Sequence, residues 1–225
     1  MNLILPPQVL AKFNEVGIMS IGERHGIREN YEIIKSILDQ LFVKPHLAVE
    51  MGYLEKIEFE KFKRGEEVDG KNISDKARIS LEYFQLLKNY VEQNPQVKIL
   101  FFQENTKNSV PKSYDEQYAD FFLENFEKPI LIISGETHAR KEVINFSWGG
   151  PPMYPMCYFI KNQLGDFPML KFFPASGTEY RVDFDKSGIN SIPDQDVQTE
   201  VFTEIGENSY LYYYPKATPI TPFLD

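Results

Sequence analysis

The sequence predicts an α/β fold: a mainly parallel central sheet with helices on both faces, and extra strands or a hairpin toward the C-terminus. Two observations carry this. Short, nearly all-apolar runs recur along the chain, as strands covered on both faces require. Between them lie longer stretches with apolar residues at helical spacing, so strand and helix alternate. A third observation limits the pattern: beyond Trp148 a Gly/Pro loop and strand-like runs replace that rhythm.

Residues 18–21 form the first apolar run, closed by Gly22. Tyr31, Ile34, Ile37, Leu38 and Leu41 then recur at helical spacing over about 28–42, and Pro45 stops that helix. "LAVEM" (47–51) reads as the second strand, and amphipathic stretches follow at about 54–63 and 76–92. The segment between them, "RGEEVDGKNISD", is rich in turn residues. Residues 97–102 make a third strand with β-branched and aromatic content. Ser113 is placed to cap the helix "SYDEQYADFFLENF", and 129–135 is the fourth strand. After the loop "GGPPMYPMC", "YFIKNQLG" reads as a helix ending at Gly165. "MLKFFPA", "EYRVDF" and "SYLYYYP" then read as late strands or an edge hairpin. No repeat and no boundary divides the chain, so residues 1–225 are taken as a single domain.

Composition excludes several classes. The net charge of −9 argues against a general nucleic-acid binder, which needs a basic face, and favours small molecules, peptides or metal ions as partners. The lone Cys157 permits neither an internal disulfide nor a thiolate zinc cluster, and it is expected to pack as a small apolar residue. The first residues lack the basic leader and apolar core of a signal peptide, and no run reaches the roughly 18 apolar residues of a membrane span. A cytoplasmic protein that does not engage a membrane is expected; the oligomeric state is left open. There is no Gly-x-Ser-x-Gly elbow, phosphate loop or His-Glu-x-x-His helix.

Ligands of open parallel sheets bind beyond the carboxyl ends of the strands. Glu23 and His25 follow strand one, Glu50 ends strand two, Glu104 follows strand three, and Glu136 and His138 follow strand four. Two of the three histidines stand at such places; His46 precedes strand two and belongs at the opposite end. Bland readings stand beside these. Glu23 and Glu136 also suit helix N-termini, and Glu104 suits a solvated loop. Glu50 is harder to dismiss, because a carboxylate in an apolar strand is costly unless it is paired or coordinating. Arg24, Arg28 and Arg140 flank the histidines, where they can bind an anionic substrate or form ordinary surface ion pairs. Glu104 joins them as a candidate substrate contact.

Gly22, Glu23 and His25, then Glu50, then Gly135, His138 and Ala139 resemble, in order, the motifs of the erythromycin-esterase/ChaN-like superfamily, a group similar to the Tiki/TraB-type proteins. The resemblance spans roughly residues 17 to 145. It departs from the esterases in having one residue, not two, between Glu23 and His25, and from the haem-binding lipoproteins of the group in lacking a lipoprotein signal. It implies hydrolysis of an ester or amide bond in a small molecule or peptide. Either His25 or His138 can be the base that activates water, with Glu23 and Glu50 orienting it or shuttling protons; the resemblance to the esterases favours His25. Three further expectations stay open. Glu23, His25, Glu50, Glu136 and His138 can hold a divalent ion such as Zn²⁺, Mn²⁺ or Co²⁺. A haem-binding protein without turnover can use a histidine or one of the 13 tyrosines as axial ligand. A degenerate member acting as an interaction module is the blandest of the three.

Overall fold

The computed structural model describes residues 3–74, 76–104, 111–182, 187–192 and 201–223. Helix α1 (Pro7–Val16) precedes the alternation anticipated above. β1 (Ile18–Glu23), α2 (Glu29–Gln40), β2 (His46–Val49), α3 (Tyr53–Lys63) and α4 (Leu81–Gln93) follow. Then come β3 (Ile99–Phe101), α5 (Tyr114–Asn125), β4 (Ile130–Gly135), the single turn α6 (Glu136–Ala139) and α7 (Met156–Leu164). Ser113 caps α5 as its sequence implied, its Oγ accepting from the Glu116 amide at 3.1 Å.

Seven strands form one sheet in the order β3-β2-β4-β1-β5-β9-β8, where β5 is Met169–Pro174, β8 Val201–Gly206 and β9 Ser209–Tyr214. All neighbours pair in parallel except β8 with β9. The fold is therefore α/β, as the alternation predicted. The late strands are used more fully than an edge hairpin would use them. β5 pairs with β1 on one side and β9 on the other, so two of them extend the parallel sheet. β6 (Gly177–Val182) and β7 (Ser187–Ile192) form a separate antiparallel pair. The last two residues of the expected strand "EYRVDF" lie outside the described residues.

Alternation along the strands sorts side chains into two layers. Met19 and Ile21, Leu47 and Val49, and Leu131 and Ile133 face α1, α2 and α4. Ile18, Ala48, Ile130 and Ile132 face α5 and α7. Full burial of each large aliphatic contributes about 1.5–3 kcal/mol, so both layers hold the sheet. α1 joins the first layer through Val9 and Phe13. The sequence did not announce this helix, because only Val9 and Phe13 of its ten residues are buried. β8 was missed because its side chains are nearly all exposed and show no inward face. No helix among the described residues is long and apolar enough to cross a membrane.

Candidate active site

Because the parallel strands run the same way, their carboxyl ends meet along one edge. Glu23 is the last residue of β1, and with Met19 and Ile21 it continues the period-two alternation into the interior; it is 2% exposed. Glu50 immediately follows β2 and is 4% exposed. His25 lies in the turn after β1, and His138 in α6 after β4.

These four side chains come together. His25 Nδ1 lies 3.6 Å from Glu23 Oε1, and His138 Nε2 lies 3.5 Å from Glu50 Oε1. Gly135 makes the junction possible. A Cβ there would stand 2.7 Å from His25 Nε2 and 3.5 Å from Glu50 Oε2, so the ring occupies space any other residue would fill. The Gly135 amide donates to Glu50 Oε2 at 2.7 Å, and Gln103 donates to Glu50 Oε1 at 3.1 Å.

Three contributors escaped the sequence reading. Arg78, 3% exposed, forms a buried ion pair with Glu50. Asp115, at the start of α5, meets His138 Nδ1 at 2.7 Å and also accepts from the Met156 amide at 2.7 Å. Gln103 is the third. Arg78 was hidden inside a charged amphipathic stretch, and Asp115 resembled an ordinary first-turn carboxylate. Only the crossing of chain segments joins them to the histidines.

The electrostatics separate the two glutamates. Burial pushes the Glu23 carboxyl above its usual range; His25 and Arg78 only partly offset this. At 3.6 Å the His25 contact is longer than a hydrogen bond, and both Glu23 oxygens and His25 Nδ1 are buried without a hydrogen-bond partner. Glu50 goes the other way. Burial opposes its charge, but Arg78, His138, His25 and the Gly135 amide outweigh it and hold the carboxyl below its usual range. Burial also works against both imidazolium ions. Even so, Glu23 and Glu50 carry His25 above its ordinary value, and Asp115 and Glu50 do the same for His138.

The remaining expected contacts have internal partners. Arg24 forms a forked pair with Glu179, and Arg28 lies 3.2 Å from Glu82. Both oxygens of Glu104 accept from Lys56 at 2.9 Å. Arg140 pairs with Glu136, which also holds Lys171. His46 lies at the opposite edge, where Nδ1 accepts from the Lys98 amide at 2.9 Å. Cys157 is buried, and burial pushes its thiol up to about 12.

The five groups that the sequence offered to a divalent ion do not fit one in this arrangement. Among the described residues no group of three or more His, Cys, Asp or Glu side chains is placed to hold a metal. The Arg78 guanidinium stands against Glu50, and Glu136 is drawn away by Arg140 and Lys171.

Solved structures identify the fold. An erythromycin esterase, EreC, studied as a mutant in its open conformation, aligns over 95% of this chain and 94% of its own, with TM-score 0.65 and 8% identity. A succinoglycan biosynthesis protein aligns over 96% and 91%, with TM-score 0.64 and 10% identity. A Bacillus cereus protein aligns over 92% and 90%, with TM-score 0.61 and 11% identity. The chain shares its fold with these structures, an erythromycin esterase among them. No family model matches the sequence, and no curated protein matches it.

Proposed function

We propose that this protein hydrolyses an ester or amide bond in a small molecule or short peptide, using water deprotonated by His25. The observation that carries the reading is the double pairing at one sheet edge: His25 over buried Glu23 and His138 over buried Asp115, with Glu50 between them. An imidazole aimed by a carboxylate is the arrangement general-base catalysis needs. The fold, which an erythromycin esterase also has, supports it.

In this reading the buried Glu23 carboxylate faces Nδ1 of His25 at 3.6 Å, leaving Nε2 to take the proton as the water oxygen attacks the carbonyl carbon. Arg78 supplies positive charge beside the developing oxyanion, and His138, whose pKa Asp115 and Glu50 raise, adds to it whenever it is protonated. When the tetrahedral intermediate collapses, the carbon–heteroatom bond breaks and the proton on His25 passes to the leaving oxygen or nitrogen. Water alone is consumed, and no serine or cysteine nucleophile is required.

The test is a panel of aryl esters, lactones and short peptides offered to chelator-treated protein. Turnover should appear, and His25→Ala should lower kcat by about 10²–10⁴-fold, the usual scale for loss of a general base. Equal rates for wild type and His25→Ala on every active substrate would remove His25 from the role. Turnover only after addition of Zn²⁺, Mn²⁺ or Co²⁺ would restore the metal mechanism. A Soret shift on haem titration without any turnover would replace the hydrolase by a binding protein.

A further inference from the structure

The turn that carries His25 is short, and nearly every residue around the histidine is tied to the C-terminal third of the chain. The Arg24 guanidinium makes a forked pair with Glu179, a β6 carboxylate only 1% exposed, and lies 5.6 Å over the Phe173 ring. Gly26 has φ +82°, and a Cβ there would stand 1.8 Å from the Tyr180 carbonyl oxygen. Its own carbonyl accepts from the Tyr180 amide at 2.9 Å and the Ile220 amide at 3.3 Å. The Arg28 amide donates to Thr218 O at 2.9 Å, and Thr218 donates back to Glu29 from its amide and hydroxyl at 2.7 and 2.6 Å. The Asn30 side-chain Nδ2 donates to Arg24 O at 2.6 Å, while the Tyr214 hydroxyl donates to Asn30 Oδ1 at 3.2 Å.

We infer that the C-terminal third positions the reactive imidazole, and that Arg24 and Glu179 are its positioning pair. The inference rests on the hydrolase reading for its catalytic consequence but not for its structural content. Three features distinguish this pair from a surface ion bridge. One partner is fully buried. The guanidinium is engaged through its fork, which lysine cannot reproduce. And the residue it fixes is the immediate neighbour of His25. Arg24 is thereby committed inward, so it serves the site through geometry and not by meeting an anionic substrate. β6 also explains why the strand after β5 leaves the main sheet: it turns back over the carboxyl edge to meet Gly26 and Arg24.

The experiment compares full-length wild type with Arg24→Lys, which keeps charge but loses the fork, and Glu179→Gln, which keeps shape but loses charge. Three quantities are read: kcat and KM on p-nitrophenyl acetate, the rate at which diethyl pyrocarbonate labels His25, and amide hydrogen exchange in residues 24–30 against residues 130–135. Misplacing a catalytic group by about 1 Å costs up to about 10²-fold, so kcat should fall at least about tenfold while KM stays within about threefold. His25 labelling should accelerate several-fold, and exchange should rise in 24–30 alone. Wild-type kcat and labelling in both variants would overturn the inference. An equal rise in exchange in both segments would also overturn it, because that reports general loosening. If Glu179→Gln does not fold, Tyr214→Phe removes one hydroxyl from the Asn30 branch and gives the same readouts at smaller amplitude. If wild type fails to cleave the ester or any other substrate offered, the hydrolase reading falls, while labelling and exchange still decide whether the pair positions His25.

Discussion

Gly22-Glu23-Arg24-His25 and Gly135-Glu136-Thr137-His138 share a frame, and each stands at the carboxyl end of a buried parallel strand. The molecule uses the two copies differently. β1 stays extended through Glu23, so that carboxylate points inward and becomes the neighbour of its own histidine. β4 ends at Gly135 and Glu136 opens α6. Its side chain meets Arg140 and Lys171 instead, and His138 takes its carboxylate from Asp115 on α5. One residue of difference in where the strand stops changes which acid serves which base. The two frames also interlock, because Gly135 of the second provides the space in which His25 of the first lies.

That interlock gives the largest expected effect outside the catalytic groups themselves. Gly135→Ala puts a methyl 2.7 Å from His25 Nε2, and the ring, being the far end of a side chain, is what must yield. We expect kcat to fall about 10²-fold, the scale of a displaced catalytic group, with the melting temperature nearly unchanged. Wild-type turnover in this variant would show that the position of His25 over Gly135 is not the reactive one.

The frames are separated most directly by Glu23→Gln and Glu136→Gln, read through the pH dependence of kcat/KM. A general base works only when neutral. With its pKa raised, His25 is converted to the neutral form above the ordinary value of 6.5, and the acid limb of the profile should lie above that value. Removing the Glu23 charge leaves burial dominant, and burial lowers the imidazole pKa, so the limb should move to lower pH and kcat should drop about tenfold. Glu136 is engaged by Arg140 and Lys171 and not by His25, so its replacement should leave the limb in place. Equal shifts in the two variants would mean that the frames are equivalent after all.

Asp115→Asn probes the second histidine through stability. His138 has a raised folded pKa, so its contribution is fully present below the unfolded value near 6.5 and is lost as pH rises through the folded value. The variant should therefore lose more stability at mildly acidic than at alkaline pH, by about 1–3 kcal/mol at most. Denaturant melts at both pH values measure this. A pH-independent loss would assign Asp115 to the Met156 amide alone.

Much of this architecture was legible in the sequence because the informative residues are local. Four apolar runs, their bounding turns and the Ser113 cap are each readable within a few residues. Glu23, His25, Glu50 and His138 could be placed on one edge from strand direction alone. Arg78, Asp115 and Glu179 could not. Each reaches the site through a chain crossing that no local pattern encodes, and each sits among charged residues that read equally well as solvated surface. The partners of Arg24 and Glu104 were invisible for the same reason.

The smallest expected effect concerns the third histidine, and it tests the direction of the whole sheet. His46 is the first residue of β2, and Glu50 follows that strand's last residue. At about 3.3 Å of rise per residue, the two stand roughly 13 Å apart along the strand. His46 is occupied at its own edge, accepting from the Lys98 amide at 2.9 Å and lying 3.7 Å from the half-exposed Glu127. His46→Ala should therefore leave kcat/KM within a few-fold of wild type. Its stability cost should be about 0.5–1.5 kcal/mol, that of one ordinary hydrogen bond. Steady-state kinetics and a thermal melt suffice to check both. A collapse of turnover like that expected for His25→Ala would mean that a proton or substrate path reaches the amino edge, and the site would have to be sought at both ends of β2.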